Sequence, residues 1–573
     1  MIDIRAFTGE MPRLQPRYLP AGAAQVARNC RLERGSLEPY RAANPVFSTP
    51  SVPVSIYRFN GAWLTFDVLT DVVRAPIAED RIYYTQDGAG AFVRLAGGTV
   101  YALALPAPVS APTVSMGGAL DARLAQAVQY VYTYVTSLGE ESPPSALSAA
   151  VEWSPGRVAT VGGFAATPAS RSIVARRIYR TQTSQQGITA LFFVTEIPVA
   201  TTSFAHDIAT TPLGEVIDST DYDPPPANLR GLRAMANGIM VGFDGKTVCF
   251  SEPYIPHAWP IRYRRNVDSP IVGLAAFGQS VAVLTEERPY IVQGSTPDTM
   301  VQTKIEDGLP CLSRAGIANM GYAAAYPTHR GLAVISPSGV QVVSEPLFTM
   351  DQWEALRPAD FFAHHHNGLY IFGYPAADIE TISGGAHDAT FTGLDLYDGG
   401  DPSEPSPLAA VLDGGSPSRA SETSALAAID FRNPQRPFFT RLDGAIAALP
   451  SALWQDERDG RLYIASLQNE ILEFDARLSG PALYVWRSGP LIFTAPVNFA
   501  GMQVEVSGDP VTSPVSVTII ADGVERHTAT RANVPVRLPS GFLARTWEVE
   551  ITGTATLTRF ILAQSFDQLG MTG

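Results

Sequence analysis

Apolar residues in this chain fall in short runs that alternate with polar ones, and each run sits between glycine-bearing turns. Asn60-Gly61 leads into Ala62-Trp63-Leu64-Thr65-Phe66. Asn237-Gly238 leads into Ile239-Met240-Val241-Gly242-Phe243, turns at Asp244-Gly245 and returns as Thr247-Val248-Cys249-Phe250. Gly278-Gln279 precedes Ser280-Val281-Ala282-Val283-Leu284, with a return at Pro289-Tyr290-Ile291-Val292. Arg330-Gly331 opens Leu332-Ala333-Val334-Ile335, which turns at Ser338-Gly339 and returns through Val340-Gln341-Val342-Val343. Asn367-Gly368 and Asp459-Gly460 open Leu369-Tyr370-Ile371-Phe372 and Arg461-Leu462-Tyr463-Ile464. Asn-Gly and Asp-Gly supply the left-handed backbone of tight hairpins. The runs are too short and too rich in β-branched residues for helices. Hairpins recurring every roughly 40–50 residues predict propeller blades, about five or six of them. An ordinary β-sandwich is the other arrangement this pattern allows.

The repeat is interrupted twice. From about 106 to 226 the texture changes: Tyr130, Tyr132 and Tyr134 alternate on one strand face, followed by Thr136-Ser137-Leu138-Gly139-Glu140-Glu141-Ser142-Pro143-Pro144-Ser145. This resembles the strand-and-loop ending of a fibronectin type III module. Ile178-Tyr179-Arg180-Thr181 and Phe192-Phe193-Val194 read as further strands of that sandwich, and Asp223-Pro224-Pro225-Pro226 as a stiff exit linker. Residues 376–424 are rich in Gly, Ser, Asp and Pro and read as a long exposed loop. The chain is thus expected to be all-β: an N-terminal β region contributing to the propeller or platform (1–105), an inserted fibronectin type III-like sandwich (106–226), propeller blades (227–485, with the 376–424 insertion) and a C-terminal sandwich-like unit (486–573). In that last unit Val504 and Val506, then Val515, Val517 and Ile519, alternate along strands, and Trp547-Glu548-Val549-Glu550-Ile551 is a further strand.

Charge narrows the function. With 41 Lys and Arg against 55 Asp and Glu, the net charge is −14. A reader of DNA sequence needs a basic stripe, which this balance does not favour; a protein that DNA slides past needs none. The three cysteines, Cys30, Cys249 and Cys311, are far apart and show no CxxC spacing, so free buried thiols are expected. The N-terminus, Met1-Ile2-Asp3-Ile4-Arg5-Ala6-Phe7, lacks the pattern of a signal peptide, and no apolar run approaches a membrane span.

Catalytic and metal patterns are sparse. Gly245-Lys246-Thr247 matches the end of a phosphate loop, but Met240 stands where the motif needs glycine, and the segment reads as a hairpin. On a strand, His364 and His366 point to one face and His365 to the other; two ligands without a third are weak grounds for a metal, and a solvated strand end is expected. Asp395, Asp398, Asp401 and Glu404 do not have the spacing of a calcium loop. Neither a nucleophile elbow nor a His-Glu-x-x-His occurs. No catalytic, cofactor or metal residue is assigned.

Three stretches carry a family resemblance. Phe250-Ser251-Glu252-Pro253-Tyr254-Ile255-Pro256-His257-Ala258-Trp259-Pro260, continued by Asp268-Ser269-Pro270-Ile271-Val272-Gly273-Leu274 and by Leu284-Thr285-Glu286 to Ser295, resembles the middle of the nozzle, or tail tubular B-like, proteins of short-tailed bacteriophages. Leu19-Pro20-Ala21-Gly22-Ala23-Ala24-Gln25-Val26-Ala27-Arg28-Asn29-Cys30-Arg31-Leu32, ending in Gly35-Ser36-Leu37-Glu38-Pro39, resembles their opening. Arg537-Leu538-Pro539-Ser540-Gly541-Phe542 with Trp547-Glu548-Val549 is similar to their closing segment. The resemblance implies a non-enzymatic virion protein assembled in the host cytoplasm. It implies a propeller in a ring, usually of six copies, below the head-to-tail adaptor. Tail fibres or spikes would be neighbours, and double-stranded DNA would pass through without specific binding. The competing readings are another tail hub or tip protein, a propeller hydrolase and a carbohydrate-binding array.

Overall fold

The computed structural model describes residues 1–168, 171–183, 189–375, 424–433, 437–442, 449–508 and 513–570. Strands dominate, and the helices are short, as at Met350–Ala355. The all-β expectation holds. Residues 376–423 of the expected loop, with Asp395, Asp398, Asp401 and Glu404, lie outside the described residues, and Ser424 already opens a strand, Ser424–Asp430.

Among the described residues, seven antiparallel units follow one another in a closed cycle. Their first strands are Ser55–Phe59, Thr70–Arg74, Arg230–Ala234, Ile271–Phe277, Ala318–Asn319, Phe362–His366 and Pro450–Gln455. Each first strand packs against the next, and the seventh packs against the first. Hydrogen bonds stitch the neighbours together. The Thr70 N–H donates to Ser55 Oγ, Leu232 N–H to Thr85 Oγ, Asn319 Nδ2 to the Ala276 carbonyl and Ser451 Oγ to the Pro53 carbonyl. The Ala236 and Ala363 N–H groups donate to Gly278 and Ala315. Six units have four strands; the first has two, Ser55–Phe59 and Ala62–Phe66. The seventh takes its fourth strand, Asn44–Ser48, from the N-terminal region. Turn chemistry explains the hairpins: Asn60 and Gly61 (φ 48° and 81°) and Asn367 and Gly368 (φ 51° and 84°) hold consecutive left-handed conformations, the backbone of a two-residue hairpin.

Between the second and third units the chain builds a separate sandwich. Thr113–Gly117, Val158–Gly162 and Ser203–Asp207 form one sheet; Tyr130–Thr136, Ile173–Thr183 and Thr189–Pro198 form another. Val128, Tyr130, Val161, Ile178 and Ile197 fill its core. The free edge of Tyr130–Thr136 is covered by a serine ladder. Ser142, Ser145 and Ser148 donate their N–H groups to the carbonyls of Tyr134, Tyr132 and Tyr130, and their hydroxyls accept the N–H groups of the same tyrosines. Side chains thereby supply the acceptors that a partner strand's carbonyls would give.

Residues 1–48 tie the cycle to the C-terminal unit. Ile2–Ile4 pairs with Thr556–Ala563, the last strand of a C-terminal sandwich centred on Trp486, Phe499, Trp547 and Phe560. Ala24–Arg28 lies between Phe438–Leu442 of the sixth unit and Tyr484–Ser488 of the sandwich, so one sheet runs through both. Under this strand the buried Glu10 Oε1 accepts from Ala27 N–H (2.7 Å) and from Arg441 Nε and Nη2 (3.0 and 2.9 Å). The cost of breaking the pair sets its worth, because a buried charge without its partner is strongly destabilising. Arg441→Met should therefore lower unfolding free energy by about 3–5 kcal/mol, read from chemical denaturation; a loss below about 1 kcal/mol, the scale of an exposed pair, would show that the pair does not anchor the seam.

Candidate functional site

The first strands of all seven units line one axial cavity of about 690 Å³. Small side chains keep it open: Ala234, Ala275, Ala363 and Ala452 face it from four of the units. Its charged part is a network that sequence reading did not find. Asp71, on the second unit, is ion-paired to Arg233 of the third and to Arg314, which precedes the first strand of the fifth. Arg314 also holds Asp87 at 2.6 Å. Asp71 is buried and the Arg314 side chain is only 8% exposed; they join units that are not neighbours in the cycle, so the guanidinium reaches across the interior. Burial alone would raise the Asp71 carboxyl; the two arginines overcome this and bring it down to about 2.

The histidine run lies on the first strand of the sixth unit, and it is not the solvated end expected. His364 lines the cavity and its Nδ1 is 2.8 Å from the His365 carbonyl. His366 is buried, edge-on to Phe474 at 5.9 Å, with Nε2 3.0 Å from Asn367 Nδ2. Burial lowers all three histidines, His366 to about 4, so each is neutral at pH 7. The physical reason is their place: a first strand faces the interior of the cycle, not solvent. Among the described residues no group of three or more His, Cys, Asp or Glu is placed to hold a metal ion. Gly245 and Lys246 turn a hairpin between Asp244 and Thr247, and Lys246 Nζ donates to the Asp268 carbonyl. The three cysteines are free and buried. Burial pushes the thiols of Cys249 and Cys311 up to about 12, far from thiolate reactivity at neutral pH.

The sandwich between the second and third units is seated on the cycle by the stretch Glu252–Pro260. Glu141 N–H donates to His257 Nε2 (3.4 Å), Trp259 N–H to the Asp223 carbonyl (2.8 Å), and Tyr222 stands edge-on to His257 at 5.6 Å. Trp259 itself is buried and donates its indole N–H to the Pro256 carbonyl.

No protein-family model matches the chain, and no curated protein does. Solved structures align over long stretches with little agreement. A chain of a mitotic checkpoint complex has 10% identity and a TM-score of 0.26, covering 75% of this chain and 97% of its own. The extracellular domain of a hybrid two component system from B. thetaiotaomicron has 10% identity and a TM-score of 0.26, covering 94% and 78%. Similarity at this level carries no argument about architecture or activity. No helix among the described residues is long and apolar enough to cross a membrane.

The axial network has a pH signature. A carboxyl held below its ordinary value contributes stability that is complete above that value, near 4, and is lost as the pH falls towards about 2. Asp71→Asn should cost about 3 kcal/mol at pH 7 and should flatten the fall in stability between about pH 4 and 2. Denaturant titrations across that range test this; a D71N variant that keeps the wild-type acid limb would assign the acid sensitivity elsewhere.

Proposed function

We propose that this chain is a structural subunit of a bacteriophage tail, a β-propeller carrying an inserted fibronectin type III-like module. Several copies would form the nozzle ring below the head-to-tail adaptor, and the ring's opening would be the exit path for double-stranded DNA. The observation that carries the reading is where the resembling segments fall. The resembling segment Phe250–Pro260 contains the seat of the inserted sandwich, Glu252–Pro260, and Leu19–Leu32 contains the strand that joins the cycle to the C-terminal sandwich. Segments that fix the relative placement of units are those a ring-forming architecture depends on.

The charge and the cavity are consistent with this role. A net charge of −14 per copy repels DNA, so the duplex would slide without being held. Each copy's own axial cavity is crossed by Arg314, so the DNA path would lie between copies rather than through one. A ring requires two different, complementary patches per copy. The inserted sandwich and the 376–424 segment are the natural docking surfaces for fibres, spikes or adaptor, because binding concentrates on loops and appended parts of a rigid scaffold.

Native mass measurement of adaptor-bound complexes, together with imaging of purified particles with the chain labelled, tests the proposal. The expected outcome is several copies per particle in a closed ring at the head–tail junction. One copy per particle, a position at the distal tip, or absence from the particle would each overturn it.

A further inference from the structure

The sequence holds three Asn-Gly pairs, and each turns a hairpin of the cycle: Asn60-Gly61 in the first unit, Asn237-Gly238 in the third and Asn367-Gly368 in the sixth. Asparagine is a thermally labile residue, and a following glycine, having no side chain, leaves its amide nitrogen free to approach the carboxamide carbon.

The structure guards two of the three pairs. Asn237 Nδ2 donates to the Ser295 carbonyl at 2.7 Å, and Gly238 N–H donates to the Met235 carbonyl at 3.3 Å. The Tyr254 ring lies against Gly238, where a Cβ would stand 2.5 Å from it. Asn367 Nδ2 is 3.0 Å from His366 Nε2, and the Arg432 side chain covers Gly368. Nothing comparable holds the first pair. Among the described residues the Asn60 side chain has no hydrogen-bond partner and the Gly61 N–H no acceptor. Both residues are exposed, and the space where a Gly61 Cβ would stand is open. Ring closure needs rotation about the Asn60 Cα–C bond, which opens the turn. Local opening is easiest where few hydrogen bonds hold the backbone, and this turn joins the two strands of the first unit, whose neighbours have four.

We propose that Asn60-Gly61 is a site of spontaneous deamidation, a modification that uses water and needs no enzyme. The Gly61 nitrogen attacks Asn60 Cγ. The N–Cγ bond forms as the Cγ–Nδ2 bond breaks, and ammonia leaves with the proton of the Gly61 amide. Water then opens the cyclic imide. Breaking the N–Cγ bond gives aspartate; breaking the bond between the main-chain carbonyl carbon and the nitrogen gives isoaspartate, with the chain running through Cγ. Either product adds one negative charge. Aspartate keeps the turn, because Asp-Gly takes the same left-handed backbone. Isoaspartate lengthens the backbone of a two-residue turn that sets the pairing of Ser55–Phe59 with Ala62–Phe66. Ser55–Phe59 is the strand against which the seventh unit packs to close the cycle, so the modification loosens that closure. This inference does not rest on the tail reading.

Incubating the full chain in mildly alkaline buffer, with deamidation at each pair followed by mass spectrometry of proteolytic peptides, tests this in native and in guanidinium-unfolded protein. In the native chain Asn60 should convert about tenfold or more faster than Asn237 and Asn367, the slowing expected where a hydrogen bond must break first. In the unfolded chain the three rates should converge. Asn60→Asp should keep the wild-type melting temperature, whereas native chain aged to isoaspartate at this position should melt lower. Equal native rates, a difference undiminished by unfolding, or an aged chain that melts no lower than Asn60→Asp, would overturn the proposal.

Discussion

The Glu10 carboxylate is the point on which the architecture turns. It is buried, and burial pushes its carboxyl above the ordinary range against the pull of Arg441. A buried charge is tolerated only when it is paired and hydrogen-bonded, and here one oxygen takes the Ala27 N–H and the Arg441 guanidinium. Ala27 belongs to the strand between the cycle and the C-terminal sandwich; Arg441 belongs to the sixth unit. The pair thus fixes the register of the N-terminal segment against two units at once. From that seam the segment reaches in two directions, to Thr556–Ala563 through Ile2–Ile4 and to the seventh unit through Asn44–Ser48. The start of the chain thereby closes what its C-terminal part builds.

The axial network is the second constraint, and it works differently. Side-by-side strand packing holds neighbouring units, but Arg314 ties units that do not touch along the cycle. Two arginines around Asp71, with Asp87 as a second anion, leave the group formally neutral. Neutrality matters because an unbalanced charge in this interior would carry an uncompensated desolvation cost. His364, on the same wall, is held uncharged chiefly by burial, to which the nearby Arg233 guanidinium adds in disfavouring the imidazolium.

Local features were legible in the sequence; long-range closure was not. Asn60-Gly61 and Asn367-Gly368 announce hairpins because two-residue turns demand left-handed backbone, a property of the dipeptide itself. The alternation of Val504 and Val506, and of Val515, Val517 and Ile519, marks one buried face because strand side chains have a period of two. By contrast Asp71 and Arg314 are 243 residues apart, and no spacing rule connects them. The closing strand Asn44–Ser48 has all five residues exposed and so shows no alternating burial pattern; its place is set by backbone pairing with Glu470–Glu473. The histidine run misled because composition reports polarity, not position, and its strand is a first strand. The serine ladder did have a signal, a Ser-x-x-Ser-x-x-Ser spacing from Ser142 to Ser148, but period three belongs to neither helix nor strand.

The negative charge is not spread evenly along the chain. Residues 106–226 carry ten acidic and six basic side chains, and residues 376–424 carry nine acidic and one basic. These two interruptions together account for twelve of the fourteen excess negative charges, leaving the remaining scaffold with a net charge of only −2. Net charge keeps a protein soluble and apart from its copies through self-repulsion. In the proposed ring a nearly neutral scaffold would repel its copies little, and the two acidic segments would carry most of the repulsion. Screening shortens the reach of those segments to roughly 8 Å at physiological salt. In the proposed ring, charge carried on the two interrupting segments would therefore be compatible with close contact between copies of the cycle itself, which uniform acidity would oppose.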